Sequence, residues 1–274
     1  MGIGWHFFKE GAKKFTAGKF TSVPFLQAAK GPLAEQYKNS IPDRFGLQRL
    51  NVNQTKQFWE NYRDHVASRL GFDQKQTTAA TQIVDRYVKR MNNYVADNYE
   101  DIDTYRKEVQ RYLGELKEPT SDIPYQRDRL AAKEVDLRKQ VGPWLANVED
   151  MNQALQAELN GLATEGQRSR GLVVIPDRNQ PASDGVVKWV VLGAGVLLLL
   201  GLFTRVAALV AMGFLLSVIG TQPPWVPNAN LEYFYYQMVE VLALFTLIVF
   251  AAGRYAGLDY IIYGLMNRRK EPTL

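Results

Sequence analysis

The sequence has no cysteine and only two histidines, His6 and His65, in 274 residues. The absence of Cys excludes disulfides, Fe–S clusters, thiolate zinc sites, covalently attached c-type haem and a Cys nucleophile. Two histidines so far apart argue against a bis-His haem, and no metal-ligand spacing or Ser/His/Asp arrangement occurs. We therefore predict no metal site and no cofactor ligated by the chain itself. The net charge of +5 is too small and too dispersed to indicate nucleic acid.

Charge is also scarce in the last third of the chain, where residues 186–274 contain 6 Lys and Arg and 4 Asp and Glu. Residues 186–220 form an apolar run that would span about 52 Å as one helix, well beyond a hydrocarbon core of roughly 30 Å. Its polar break at Thr204 and Arg205 indicates two spans, near 186–203 and 205–222. A third covers about 234–252, so three membrane helices are predicted.

Basic residues near the span ends predict the orientation. Arg205 lies in the first short turn, and Arg254, Arg268, Arg269 and Lys270 follow the last span. The connection from about 223 to 233 has no Lys or Arg. This asymmetry places the turn and the C-terminus in the cytoplasm. We therefore expect residues 35–185 to be extracytoplasmic and the protein to lie in the cell (inner) membrane.

The first eight residues, MGIGWHFF, are apolar and are followed by charges at Lys9, Glu10, Lys13 and Lys14. A signal peptide carries its charges before the apolar stretch, so this segment is not one. It is typical of the last two turns of a membrane helix. Either the true start lies upstream of Met1, or the segment packs as a short half-helix against the other three.

Residues 35–163 are predicted to form a helical domain. One helix ends at Gly71, Asp73 caps the next, a third covers about 101–117, and a fourth runs from Pro124 to Val141 before Pro143 begins a fifth. Apolar residues in the last two follow a nearly heptad spacing: Leu137, Val141, Trp144, Val148, Met151 and Leu155. This pattern favours an antiparallel bundle, with a partner-binding coiled coil as the alternative. Residues 164–185 are a predicted linker, in which 172–175 could be a short strand or an extended tether.

Three groups of residues resemble motifs of DoxX-type membrane proteins. Gly4, Phe7, Gly11 and Lys14 are similar to the end of the family's first helix. Gly201, Thr204 and Arg205 are similar to its second-to-third helix junction. The closing motif is matched by Glu240 and then by Gly253, Arg254, Gly257, Leu258 and Asp259, with Gly257 where the family commonly has Ser. The resemblance covers roughly residues 1–34 and 186–266, so the helical domain is inserted after the first helix.

The resemblance implies an all-α fold, a four-helix membrane bundle whose first helix is truncated, with an inserted extracytoplasmic helical-bundle domain. The predicted parts are residues 1–34 (partial first helix and connection), 35–163 (helical domain), 164–185 (linker), 186–266 (three spans) and 267–274 (cytoplasmic tail). A link to sulfur-compound oxidation is also implied, because one branch, DoxD, is the larger subunit of a thiosulfate:quinone oxidoreductase. Many other members have no assigned activity.

Glu240 is the most informative candidate site residue. It lies about six residues inside the last predicted span, roughly 9 Å below the outer interface. A carboxyl at that depth is costly unless it is protonated, paired or facing a polar cavity. Glu240 could carry protons while Gln237, Tyr233 or Tyr236 contacts a quinone, since Gln237 and Tyr233 share its helical face. Alternatively, Glu240 could simply tie helices together.

His6, Glu10 and Lys14 recur every four residues and therefore share one helical face. Glu10 followed by Lys14 is the favoured orientation for an ion pair. His6 could pass protons near neutral pH, and either His6 or Lys14 could be the residue that Glu240 contacts. The alternative is an interfacial ladder that anchors a short helix.

Three further residues are assigned structural roles at the span ends. Arg205 is expected to fix the topology and to bond exposed carbonyls at helix ends. Arg254 and Asp259 bracket the end of the last helix, where they are expected to pair or to cap it.

These features leave three functions open and do not decide whether the protein is an enzyme. The first is an accessory or structural subunit of a membrane complex, docking membrane or periplasmic subunits through the helical domain. The second is a quinone-reducing subunit in sulfur-compound oxidation, with Glu240 as proton carrier and electrons supplied by a partner. The third is a small-molecule transporter. The substrate, the partners and the oligomeric state do not follow from the sequence.

Overall fold

The computed structural model describes residues 2–16, 20–118, 123–226, 229–255 and 257–268. Within them every regular element is a helix, as predicted. In chain order these are α1 (Gly2–Thr16), α2 (Val23–Gln27), α3 (Ala34–Asn39), α4 (Val52–Leu70), α5 (Gln74–Asp97), α6 (Tyr99–Glu115), α7 (Pro124–Gly161), α8 (Glu165–Arg168), α9 (Ser183–Leu200), α10 (Thr204–Thr221), α11 (Leu231–Val249), a 3-10 turn (Ala252–Arg254) and α12 (Leu258–Arg268). The predicted tail at 267–274 lies outside the described residues from Arg269 onward.

The chain divides into two compact units. The helical domain comprises Asp43–Arg178, and the membrane unit comprises Met1–Pro42 together with Asn179–Leu274. The chain therefore leaves the membrane unit once and returns to it once.

The helical domain forms because each of its long helices buries one apolar face in a shared core. Its largest fully buried side chains include Trp59, Tyr105, Leu50, Leu70, Met91, Ile102, Leu137, Met151, Leu155 and Leu159. Rings also contact at Trp59 and Tyr87, where the centroids are 6.2 Å apart. The predicted bundle is thus built within one chain, with α7 supplying residues along its whole length.

Local sequence signals set the boundaries of α4 and α5. α4 ends where Gly71 adopts a left-handed conformation with φ of 71°, which glycine reaches without steric cost. The Asp73 carboxylate accepts a hydrogen bond from Gln76 N at 2.7 Å, and Asp73 N donates to Gln76 Oε1 at 2.9 Å. This reciprocal capping box satisfies two amides that have no partner inside the helix.

Pro143 does not begin a new helix, contrary to the sequence prediction. α7 continues through it from Pro124 to Gly161. A proline inside a helix removes a backbone hydrogen bond and costs about 3 kcal/mol. Val141 and Val148, on either side, are both buried in the same core. Burial of these side chains along one continuous helix offsets the local cost of Pro143. The sequence pattern alone had indicated that the helix would end there.

The predicted linker at 164–185 is also revised, because its first part belongs to the helical domain. Val173 and Ile175 are buried in the core. Val173 N donates to Asn160 Oδ1 at 2.9 Å, and Ile175 N donates to Gln156 Oε1 at 2.7 Å. Side-chain amides of α7 therefore bind this segment, so it is neither a strand nor a free tether.

Three helices of the membrane unit are long and apolar enough to cross a bilayer, as predicted. They are α9, α10 and α11, and α9 and α11 each begin three residues before the expected span. We call the end of the bundle at the short α9–α10 turn the turn end. The opposite end, at the α10–α11 connection, is the loop end.

α1 is a fourth, shorter helix that runs antiparallel to α9. Its 15 residues span about 22 Å, which is more than the two turns predicted but less than a hydrocarbon core of roughly 30 Å. A Cβ added at Gly4 would lie 2.9 Å from Leu199 N, and one added at Gly11 would lie 2.6 Å from Leu192 Cα. The two backbones therefore touch, as small residues allow in membranes.

Residues 20–42 pack on the loop end of the membrane unit. Lys30 N donates to Thr221 O at 2.7 Å, and the Tyr37 hydroxyl donates to Ser217 O at 3.0 Å. Carbonyls in the last turn of a helix have no partner inside it, so this segment caps α10. The helical domain consequently begins at Asp43 and not at residue 35.

Candidate functional site

The membrane unit brings His6 of α1 and Glu240 of α11 together. His6 Nε2 lies 3.7 Å from Glu240 Oε1, which is an ion-pair distance when the imidazole is protonated and too long for a direct hydrogen bond. The His6 side chain is 57% exposed and that of Glu240 is 23% exposed. Of the two partners that the sequence suggested for Glu240, the structure places His6 beside it.

Glu240 lies halfway along its helix. α11 begins at Leu231, so Glu240 is the tenth of its nineteen residues, about 13.5 Å from its start. This is deeper than the 9 Å estimated from the sequence. α1 packs mainly on α9 and α11 mainly on α10, so the approach of His6 and Glu240 connects two helices that otherwise share few contacts. Val241 and Leu244 of the same helix are buried in apolar contacts.

The predicted ion pair between Glu10 and Lys14 is not what forms. Lys13 Nζ lies 2.7 Å from Glu10 Oε1, and Lys14 Nζ lies instead 4.5 Å from the centre of the Phe20 ring. The turn spacing favours both i+3 and i+4 partners. Phe20, six residues after Lys14 and outside the predicted ladder, is the residue whose ring the Lys14 ammonium faces.

The three predicted quinone contacts are placed differently from one another. Gln237 is half-buried and lies one turn from Glu240 towards the loop end. Tyr236 is exposed, and its hydroxyl donates to Glu232 Oε1 at 3.2 Å. Tyr233 is also exposed. Among these α11 side chains only Gln237 and Glu240 are partly buried, and the exposed His6 lies beside Glu240.

Residues of the helix-junction motif and of the closing motif after Glu240 meet at the turn end. Asp259 Oδ1 accepts from Phe203 N at 2.7 Å, and Oδ2 accepts from Thr204 N at 2.9 Å. Asp259 therefore caps the start of α10, and it does not pair with Arg254 as one prediction had it. The Arg254 guanidinium lies 4.9 Å from the centre of the Tyr263 ring.

Two glycines make this turn possible. A Cβ at Gly257 would lie 2.7 Å from Gly201 Cα, and one at Gly253 would overlap Thr204 Oγ1 and Asp259 Oδ2. The chain can approach the α9–α10 turn this closely only without side chains. The family-like spacing thus allows close contact between the segment after α11 and the α9–α10 turn.

Arg205 donates from Nε to the carbonyl of Ile248 at 3.1 Å. Ile248 lies in the last turn of α11, where carbonyls have no partner within the helix. The contact is of the helix-end kind considered for Arg205 from the sequence. It connects the start of α10 to the end of α11.

Sequence reasoning missed a buried carboxylate at the loop end. Asp184, in the first turn of α9, is fully buried and accepts hydrogen bonds from the backbone N (3.2 Å) and the hydroxyl of Ser22. The contact fixes the chain that follows α1 to the start of α9. An acid in the first turn of a helix was the available signal, because the helix dipole favours a negative charge there.

Buried polar groups of the helical domain form ion pairs and hydrogen bonds within it. Arg44 Nη2 lies 2.8 Å from Glu134 Oε1, and both side chains are at least 95% buried. The Tyr62 hydroxyl donates to Val173 O at 2.7 Å, and burial raises the pKa of Tyr62 to about 12. No cluster of three or more potential metal ligands occurs among the residues the structure describes.

Three apolar spanning helices define the chain as a helical integral membrane protein. Residues 185–272 match the family model of DoxD, described as the TQO small subunit. Over this region the chain is similar to DoxX/DoxD-like membrane proteins. That description makes DoxD the small subunit, which corrects the larger-subunit role implied by the resemblance. No curated protein and no solved structure matches the chain.

Proposed function

We propose that the protein is the membrane subunit of a quinone-linked oxidoreductase complex, and that His6 and Glu240 bind the quinone headgroup. The observation that carries this proposal is the 3.7 Å approach of an imidazole and a carboxylate at mid-depth in an apolar bundle. Ionisable groups at that depth are costly and commonly mark proton or ligand pathways. The family match to a TQO subunit supports the same class of complex.

The residues fit a quinone chemically. A quinone is an apolar ring with two carbonyl oxygens, which accept hydrogen bonds. His6 supplies an N–H donor, and Glu240 supplies a donor when it is protonated. The exposed fraction of His6 leaves one edge of the pair open at the side of the bundle, where a lipid-soluble molecule arrives.

The role of the chain in this reaction is to move protons. A bound quinone would accept two electrons and two protons and become a quinol. An imidazole can both accept and release a proton. His6 Nε2 lies 3.7 Å from Glu240 Oε1, so small side-chain movements bring the two groups within reach for proton transfer. The chain has no Cys and only two His, so we assign the electrons to a redox-active partner protein.

The same proposal includes an orientation. The Lys and Arg asymmetry favours a cytoplasmic turn end and an extracytoplasmic loop end. The helical domain would then be outside the cytoplasm, in the inner membrane of the cell. A partner that oxidises a sulfur compound would meet the protein on that side.

The experiment measures bound quinone after purification from native membranes in a mild detergent. Glu240→Leu keeps the approximate size of the side chain and removes its hydrogen-bond donor. Loss of a neutral hydrogen bond costs about 0.5–1.5 kcal/mol, so we expect bound quinone to fall roughly 2- to 13-fold. Glu232→Leu is the matched control, because it makes the same change on the same helix at the exposed contact with Tyr236. Equal quinone in all three proteins would refute the proposal.

A second candidate is an accessory subunit that docks partners through the helical domain. The compact domain with its own core, entered and left once by the chain, favours it. Replacing residues 43–178 by a short flexible linker should then remove co-purifying subunits and leave bound quinone unchanged. Retention of all subunits in that variant would contradict the docking role.

A further inference from the structure

Two ammonium groups converge on one aromatic ring at the loop end of the membrane unit. Lys14 Nζ of α1 lies 4.5 Å from the centre of the Phe20 ring, and Lys188 Nζ of α9 lies 5.8 Å from the same centre. The two nitrogens are therefore no more than 10.3 Å apart. Each cation is attracted to the ring face, yet their like charges repel each other.

Neither ammonium is neutralised by a carboxylate within 4.0 Å among the residues that the structure describes. The nearest acids in sequence are engaged elsewhere. Glu10, one turn before Lys14, contacts Lys13 Nζ at 2.7 Å. Asp184, one turn before Lys188, is fully buried and accepts the hydrogen bonds of Ser22. The three ammonium groups of Lys13, Lys14 and Lys188 exceed the two carboxylates of Glu10 and Asp184 by one charge (3 − 2), so an anion beside Lys14 and Lys188 would be electrostatically favourable.

The position of the two lysines is that of a membrane–water boundary. Lys188 is the sixth residue of α9, about 7.5 Å from its start, so its flexible side chain can extend to the headgroup level. The neighbouring rings of Phe15 and Trp189 are 5.0 Å apart, and Trp189 is 68% exposed. Exposed tryptophan beside lysine is characteristic of the bilayer interface.

We propose that Lys14 and Lys188 bind the phosphate group of an anionic phospholipid. Charge-assisted hydrogen bonds from ammonium to phosphate oxygen are about 2.8 Å long, and the flexible stems of both lysines let their ammonium groups turn towards one phosphate. The exposed Trp189 and Phe15 offer apolar surface next to the charge, which suits a glycerol and the start of an acyl chain. A free phosphate ion has no apolar part that could contact that surface.

The test compares lipid binding by native mass spectrometry of the full chain. Wild-type protein is exchanged into micelles that contain phosphatidylglycerol or phosphatidylcholine in equal amounts. We expect retention of phosphatidylglycerol over phosphatidylcholine, and at least a tenfold loss of that preference in the double variant Lys14→Gln/Lys188→Gln. The control is Lys9→Gln, which removes one exposed charge from the same helix and leaves the pair of Lys13 with Glu10 intact, so it should leave the preference unchanged.

Two further arms make each outcome decisive. Lys14→Arg/Lys188→Arg keeps both charges and should keep the preference, which separates loss of binding from loss of folding. Inorganic phosphate at millimolar concentration should not displace phosphatidylglycerol from the wild type. Displacement would overturn the lipid in favour of a free-anion site. Equal retention of the two lipids by the wild type, or an unchanged preference in the double Gln variant, would overturn the site itself.

Discussion

Gly195 should be indispensable to the membrane bundle, whereas Gly193, two residues away on the same helix, should not be. A Cβ at Gly195 would lie 2.6 Å from Phe8 Cα and 2.8 Å from Phe7 C, and closer still to Phe8 N. A Cβ at Gly193 would meet nothing within 4 Å. Gly195→Leu and Gly193→Leu are therefore matched changes. The first adds a side chain at the contact with α1, and the second adds the same side chain to open space.

The structure gives the sign and the size of each effect. Favourable carbon–carbon contacts lie at about 3.5–4.0 Å, so a side chain at Gly195 must push α1 away from α9 by about 1 Å or more. The obstacle is backbone, which cannot rotate aside. Overpacking typically costs about 1–3 kcal/mol, and we expect Gly195→Leu to reach at least the upper end of that range. Gly193→Leu should be neutral or stabilising by up to about 1 kcal/mol, through helix propensity.

The absence of cysteine allows a clean assay. Cysteines introduced at Phe15 and Trp189, whose rings are 5.0 Å apart, report the α1–α9 contact through a short bifunctional thiol crosslinker. In that background we expect the crosslinked fraction to fall sharply with Gly195→Leu and to stay constant with Gly193→Leu. Detergent-induced unfolding followed by circular dichroism gives the matching stability change. Equal crosslinking in both variants would refute the backbone contact between α1 and α9.

Three other predictions concern polar groups. Burial raises the pKa of Tyr62 from 10.0 to about 12, so the contribution of its neutral hydroxyl to stability is complete below pH 10 and is lost as the pH rises to 12. In Tyr62→Phe, the fall in the free energy of unfolding between pH 10 and 12, measured by circular dichroism, should be smaller by up to about 2 kcal/mol. Glu134→Leu removes the carboxylate that Arg44 contacts at 2.8 Å and leaves a buried charge unpaired, so thermal unfolding should show a loss of stability of about 3–5 kcal/mol. The double change Arg44→Met/Glu134→Leu also removes that charge and should largely restore the stability. Asp259→Ala should cost about 1–2 kcal/mol in detergent unfolding, because the start of α10 loses its cap; a similar loss for the exposed Asp85→Ala would contradict this.

Features that follow from local composition were predictable from the sequence alone. The three spanning helices are apolar over 18 or 19 residues, and such a stretch has no stable alternative to a membrane helix. Gly71 and Asp73 fixed the end of α4 and the start of α5, because capping depends on residues within one turn. The family-like motifs were also recognisable, since each occupies a short segment.

Other features depended on residues that are far apart in sequence. Pro143 lies inside α7 because the burial of Val141 and Val148 outweighs a local cost. Val173 is held by the amide of Asn160, which no pattern within the supposed linker revealed. Local preferences amount to a kilocalorie or so per residue, and tertiary packing overrides them where several buried side chains act together.

The candidate site shows the same division. The sequence identified Glu240 as costly in a membrane and named His6 and Lys14 as its possible neighbours, because an apolar span makes any charge conspicuous. Only the packing of four helices selected His6 and turned Lys14 towards Phe20. Helical periodicity fixes which residues share a face, but the neighbour that a face meets depends on how the helices are placed against each other, which is a property of the assembled bundle.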